Sequence, residues 1–233
     1  SYYIAYAPLG MNDWMIGYIV PVKAAEASYD FIREYEITFI IIFSMLVTVV
    51  IFYIIYKNRQ EKSRLLKRAQ RDALTGLFNK KTTQDMIDRF LEENGKDRCN
   101  ALMIMEVDYF KQVNDTYGHM VGDKVLKIFG RLLAKQFREK DIVGRIGGDE
   151  FMVLICNIKD VEIAKGRAKK LIDEVRALQI PELAGSGITI SVGIAYSPDH
   201  GTTFMELYRH ADTALYQVKR GGRDGFSVYE KAN

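Results

Sequence analysis

The sequence predicts an α/β protein of the α+β kind, a sheet with helices packed against it, preceded by one membrane-spanning helix. Three observations predict it. From residue 82 onward, stretches with helical spacing alternate with short apolar runs of strand length. A diglycine turn at Gly147–Gly148 joins two such runs into a hairpin. Ile37–Tyr56 reads ITFIIIFSMLVTVVIFYIIY without a charge, and a helix needs about 20 such residues to cross the hydrocarbon core.

Residues 1–36 show strand-like alternation at Tyr2, Ile4 and Tyr6, a turn at Met11–Asp13, and a second apolar stretch, Trp14 to Val20. The run from Lys23 to Glu36 suits a helix leading into the membrane. So short a segment holds too little core to fold alone. It reads as the C-terminal fragment of a larger extracytoplasmic sensor domain and resembles the closing part of Cache-type domains. The span itself is residues 37–56. After it come Lys57, Arg59, Lys62, Arg64, Lys67, Arg68 and Arg71, opposed by Glu61 and Asp72, whereas before it Arg33 sits among Asp30, Glu34 and Glu36. Basic flanks stay on the cytoplasmic side, which places residues 57 onward in the cytoplasm and the chain in the inner membrane as a single-pass protein. Residues 57–71 lack Gly and Pro and carry a thin apolar stripe, Leu65, Leu66 and Ala69. That suits a signalling helix, either solvated or paired with a second copy as a short coiled coil.

The remaining domain is 72–230. Thr82–Glu93 reads as a helix, Ala101–Val107 as a strand, Asp123–Arg138 as a helix, and Ile142–Ile146 with Phe151–Ile155 as the hairpin strands. Val161–Leu178 is helical, Gly187–Tyr196 a strand, Thr203–Arg220 a helix and Phe226–Tyr229 a last short strand. With 48% hydrophobic residues in 233, a sizeable core is available. A net charge of +3 is too small for a nucleic-acid binder, so no nucleic acid is expected as a partner. The two cysteines, Cys99 and Cys156, are too few for a disulfide framework and read as buried thiols. His119, His200 and His210 show no ligand spacing and read as structural or surface residues.

The chemistry concentrates at two places. The strand Leu102–Asp108 is apolar until Glu106 and Asp108, and period-two alternation puts both carboxylates on one face. Carboxylates at a strand end suit a hard cation such as Mg²⁺. Tyr109 to Gly118 follow, where backbone N–H groups and Lys111 could receive phosphates. The second place is Gly147-Gly-Asp-Glu150, whose glycines admit positive φ and close backbone approach. Should this hairpin lie beside the Glu106 strand, three or four carboxylates converge and call for divalent metal, as in two-metal transfer of a nucleoside phosphate to a hydroxyl.

Arg145-Ile-Gly-Gly-Asp-Glu-Phe151 resembles the signature of the GGDEF family of diguanylate cyclases. Four further blocks match in order: Asp72-Ala-Leu-Thr-Gly-Leu-Phe-Asn79, Phe110 through Asp123, Ile190-Ser-Val-Gly-Ile194, and Ala211 through Arg223. The resemblance covers about residues 72–229 and implies a five-stranded sheet with surrounding helices, similar to nucleotidyl-cyclase and polymerase palm domains. It implies that two GTP are condensed into cyclic di-GMP by a homodimer. Asp149, Glu106 and the backbone carbonyl of Val107 would hold Mg²⁺ (or Mn²⁺), and Glu150 would help position or ionise the attacking 3′-hydroxyl. Asn114 and Asp123 would read guanine, whose N1–H and N2–H₂ a carboxylate can accept. The Tyr109–Phe110–Lys111 backbone, with the side chains of Lys111, Lys219 and Arg223, would hold the β- and γ-phosphates.

One position departs from the family pattern: Glu106 stands where Asp is usual, which moves the carboxylate by roughly an ångström or more. A catalytically impaired receptor for GTP or cyclic di-GMP is therefore the competing reading. A cyclase of relaxed base specificity is a third, disfavoured by Asp123. Arg138-Glu-Lys-Asp141 lies nine residues before Gly147, and the resemblance implies a product-inhibition site at Arg138 and Asp141 that binds cyclic di-GMP.

Overall fold

Strand β3 (Asn100–Val107) is buried along its whole length except at Glu106. A strand apolar on both faces must lie in the middle of a sheet covered on both sides, and that requirement organises the domain. The computed structural model describes residues 1–10, 13–94 and 98–231, leaving aside the side chains of residues 25, 28–34, 62–68 and 94. It divides into two units, Ser1–Leu65 and Leu66–Asn233.

In the second unit, five strands lie in the order β4 (Ile142–Arg145), β5 (Glu150–Ile155), β3, β6 (Ile190–Ser197) and β7 (Gly225–Val228). The first four pair antiparallel and β7 joins β6 in parallel. Alternation along β3 divides the core. Ala101, Met103, Met105 and Val107 face the cluster containing Val125, Phe129 and Leu133 of α4 (His119–Gln136) and Ala168, Leu171 and Val175 of α5 (Val161–Arg176). Leu102 and Ile104 face Ile87 and Leu91 of α2 (Lys80–Asn94) and Leu207, Ala211 and Leu215 of α6 (Phe204–Arg220). Helices on both faces leave only the strand ends open to a ligand.

Local chemistry sets the helix boundaries. Thr203 and Glu206 form a reciprocal capping box that starts α6, and the Asp160 carboxylate accepts from Glu162 N–H to start α5. Helix α4 begins four residues before the expected Asp123, and the presumed phosphate loop before it is a short helix, α3 (Phe110–Tyr117). Gly118, at φ +83°, separates the two. Such a φ is strained for any residue with a Cβ. Strand β6 likewise starts at Ile190 rather than Gly187. Cys156 is buried and Cys99 half-buried. His200 and His210, expected at the surface, are half-buried around Tyr229, with ring centroids 5.4 and 4.1 Å away.

In the first unit, β1 (Tyr2–Pro8) and β2 (Met15–Pro21) form an antiparallel ribbon. The turn expected at Met11–Asp13 lies partly outside the described residues, as do the Leu65 and Leu66 side chains of the connector stripe. The expected lead-in helix, span and connector are one helix, α1 (Val22–Ala69) of 48 residues. Within it, Tyr35–Glu61 contains an 18-residue window of mean hydropathy 2.8, none of it buried, long and apolar enough to cross a membrane.

Two glycines give opposite expectations. A Cβ on Gly193 in β6 would stand 2.0 Å from the Ala211 carbonyl oxygen and 2.4 Å from Leu215 N, backbone that cannot yield. Gly193→Ala is expected to destabilise by about 3 kcal/mol. A Cβ on Gly166 in α5 meets nothing within 4 Å, and Gly166→Ala is expected to stabilise by roughly 0.5–1 kcal/mol. Thermal unfolding of the two variants should move Tm in opposite directions.

Candidate active site

Strand register brings the acids together. Glu106 pairs with Glu150 across β3 and β5, and directly opposed side chains share a face with Cβ atoms about 4.5–5.5 Å apart. Asp149 precedes Glu150 in the turn, and its carbonyl accepts from Val107 N–H at 3.3 Å. The turn closes through Ile146 N–H and Gly147 N–H, both donating to the Glu150 carbonyl at 2.9 and 3.3 Å. Neither Gly147 nor Gly148 takes a positive φ, contrary to the sequence expectation. The requirement for Gly147 is close approach, since a Cβ there would lie 2.6 Å from Glu150 Oε2.

This crowding shows in the acidities. Burial, then repulsion from Glu106, raises Asp149 above the usual carboxylate range. Burial, then Glu106 and Asp149, raises Glu150. The Lys219 ammonium of α6 sits on Glu106 Oε2. Carboxylate oxygens and a backbone carbonyl are the donors that Mg²⁺ or Mn²⁺ takes, and half-buried acids that repel one another gain most from a cation. The donor chemistry fits a divalent ion. Among the described residues, no three His, Cys, Asp or Glu side chains are already gathered into a ligating group. In this arrangement Lys219 supplies the positive charge.

Asp108 is placed differently from the expectation that it would serve the same ion. Only 5% exposed, it accepts from Thr189 Oγ1 at 2.7 Å, Ser191 Oγ at 2.6 Å and Asp224 N–H at 3.1 Å. Its oxygens are spent on holding β6 and the loop after α6.

The next segment builds a second wall. Tyr109 is left-handed (φ 53°) and begins α3, which presents Lys111 to solvent and carries Phe110 and Asn114 half-buried. Asn114 Oδ1 is buried without a hydrogen-bond partner, which costs roughly 1–3 kcal/mol if left unmet. It lies against Gly122 of α4, where a Cβ would come within 1.9 Å of it. Asp123 follows Gly122 and is exposed. Asn114 thus offers a buried, unmet acceptor and Asp123 an exposed carboxylate on adjoining helices. On the far side Arg223 stacks over Tyr109, its Cζ 4.6 Å from the ring centroid.

Arg138 is exposed, whereas Asp141, expected to join it in binding a ligand, is enclosed. Its side chain is wholly buried. It accepts from Arg138 N–H at 3.0 Å, Cys156 N–H at 3.1 Å and Arg167 Nη1 at 3.0 Å. A carboxylate so engaged shapes the turn that presents Arg138. Sequence reasoning also passed over what Arg145 does. Its guanidinium bonds both Asp72 oxygens at 3.1 and 3.2 Å and the Gly148 carbonyl at 2.6 and 3.1 Å. The first motif of the domain is thereby tied to the acidic turn. The signal was the joint presence of both residues in matching blocks, but 73 residues separate them.

Comparison with known proteins agrees with this geometry. Residues 69–225 match the family described as diguanylate cyclase, GGDEF domain. The probable diguanylate cyclase DgcT of Escherichia coli is 37% identical over 174 residues, 71% of this chain and 37% of that protein. The cyclic di-GMP phosphodiesterase PdeR of the same organism is 34% identical over 175 residues, 75% of this chain and 26% of that protein. The chain thus spans well under two thirds of either relative. The coiled coil and GGDEF domain of DgcB from Caulobacter crescentus, solved in complex with c-di-GMP, superposes with a TM-score of 0.69 at 26% identity. That match covers 75% of this chain and 93% of that one. A family match of this extent, on this strand order and around this acidic turn, makes the chain a member of the GGDEF diguanylate cyclase family.

Proposed function

We propose that the chain is a membrane-anchored diguanylate cyclase, condensing two GTP into cyclic di-GMP with release of two pyrophosphates. The observation that carries this reading is the pairing of Glu106 with Glu150, beside Asp149. The proposed domains are 1–36 as the end of an extracytoplasmic sensor, 37–56 as the span, 57–71 as the connector and 72–230 as the cytoplasmic catalytic domain.

Each site holds one GTP. Asn114 and Asp123 accept the guanine N–H groups, and the Tyr109–Phe110–Lys111 segment with Lys219 and Arg223 receives the β- and γ-phosphates. Mg²⁺ (or Mn²⁺), held by Asp149, Glu106 and the Val107 carbonyl, supplies Lewis-acid polarisation of the phosphate oxygens and charge neutralisation for the leaving pyrophosphate. The 3′-hydroxyl oxygen of one GTP bonds to the α-phosphorus of the other, and the bond from that phosphorus to the β-phosphate breaks. Glu150, made a weaker acid by burial and by Glu106 and Asp149, takes the hydroxyl proton. Lys111 offsets charge developing on the phosphate. A second attack in the opposite sense closes the ring, so two domains must face one another as a homodimer. A signal crossing α1 would act on that facing.

A second reading has its own observation. Glu106 is already engaged by Lys219, and a longer side chain held by an ammonium could leave a receptor that binds GTP or cyclic di-GMP without turnover.

Purified protein with Mg²⁺ and GTP should release pyrophosphate and cyclic di-GMP in a 2:1 ratio, and Asp149→Asn should lower kcat on the order of 10²–10³-fold. GTP binding without product would favour the receptor. Gly122→Ala displaces the Asn114 amide and should raise KM for GTP about tenfold with a smaller effect on kcat, as expected for a lost hydrogen bond to a base; steady-state kinetics at varied GTP check this. Arg138→Ala should keep turnover but abolish inhibition by added cyclic di-GMP, read from initial rates with and without product.

A further inference from the structure

The loop between α6 and β7 holds three successive residues at positive φ: Gly222 at 114°, Arg223 at 67° and Asp224 at 50°. Glycine takes this region freely and Asp tolerates it, whereas Arg there is strained by about 1–3 kcal/mol. Something must hold the backbone, and the contacts around Asp224 do so from two sides. From within the domain, the buried Asp108 carboxylate accepts Asp224 N–H at 3.1 Å, itself pinned by Thr189 and Ser191. From outside, Arg176 at the end of α5 grips the Asp224 carboxylate with Nε at 2.9 and 3.0 Å, while its Nη2 donates to the Asp224 carbonyl at 3.0 Å. Arg176 Nη1 is braced on Asp173 at 3.2 Å. The adjacent Arg223 N–H donates to Val218 O at 2.9 Å. With the backbone held this way, the Arg223 guanidinium lies over the Tyr109 ring beside Lys219.

Arg176 is 46% exposed and Asp224 36%, and an ion pair at that exposure contributes little to stability. Its geometry is nonetheless that of a fork gripping one residue at both side chain and carbonyl, which fixes orientation. We propose that Arg176 is a positioning residue for triphosphate recognition, acting through Asp224 to hold Arg223 at the mouth of the site. This rests on the reading of Arg223 as a phosphate contact. It assigns a role to a side chain on α5 that lies outside every sequence block carrying the family resemblance.

The test compares equilibrium binding of GTP and GMP, the KM and kcat for GTP, and Tm, in the full-length protein. The proteins are wild type, Arg176→Ala, Arg176→Lys, Arg223→Ala and the Arg176→Ala/Arg223→Ala double variant. Arg176→Ala should weaken GTP about 3–10-fold while leaving GMP affinity, kcat and Tm nearly unchanged. Arg176→Lys, which keeps the charge and loses the fork, should fall between. In the double variant the two effects on GTP should not add, because both act through one guanidinium. Weakened GTP with Arg223→Ala but not with Arg176→Ala would overturn the positioning role while leaving the phosphate reading intact. Equal losses for GTP and GMP, or a fall in Tm that parallels the loss, would make Arg176 merely structural and also overturn it. If Arg223→Ala has no effect on GTP, the phosphate reading falls and the positioning role with it. Absence of turnover in wild type would count against the cyclase alone, since the binding comparison stands without it.

Discussion

Glu106, Asp149 and Glu150 come close enough to repel one another at the end of the β3–β5 pair, and their proximity follows from backbone register rather than from attraction between side chains. Hydrogen bonding between the strands holds in place what electrostatics would separate. Burial and mutual repulsion make Asp149 and Glu150 weaker acids, so positive charge nearby stabilises the ionised site. Within the chain that charge is Lys219, with Arg145 close behind it.

The rest of the fold supplies rigidity for that arrangement. β3 is covered on both faces by helices, so neither the strand nor its register can slip without exposing a row of Met, Ile and Leu side chains. Arg145 joins the acidic turn to the domain's first residues through Asp72. For Asp72, burial works to raise the pKa, but the bonds from Thr75 and Arg145 outweigh it and hold the group below its usual value. Two glycines permit contacts that a methyl would block: Gly147 against Glu150, and Gly122 against Asn114.

Glu in place of Asp at position 106 has a structural counterpart. The longer side chain meets the Lys219 ammonium, so one residue expected to face phosphates is instead occupied with an acid expected to face a metal. The substitution at 106 and the reach of Lys219 are thus a single question of geometry.

Much of this was legible in the chain. Apolar periodicity located the strands and α-helices of the second unit except α3, usually to within a few residues, because burial imposes periods of 2 and 3.6 wherever an element packs against a core. The uncharged run 37–56 and the residues of the acidic turn were likewise readable, since they depend on composition and local spacing. Helix α3 was missed because its eight residues include none fully buried, so no apolar stripe marked it.

What only the tertiary structure decided are the partners of polar groups. Asp108 and Asp141 look like candidate ligand contacts in sequence, yet their oxygens are consumed by Thr189, Ser191 and Asp224, and by Arg138, Cys156 and Arg167. Glu106 finds Lys219 across 113 residues, and Arg176 finds Asp224 across 48. Apolar burial is written locally, because each residue needs only to face inward. Hydrogen bonds and ion pairs need a particular atom at a particular distance and angle, which packing alone delivers.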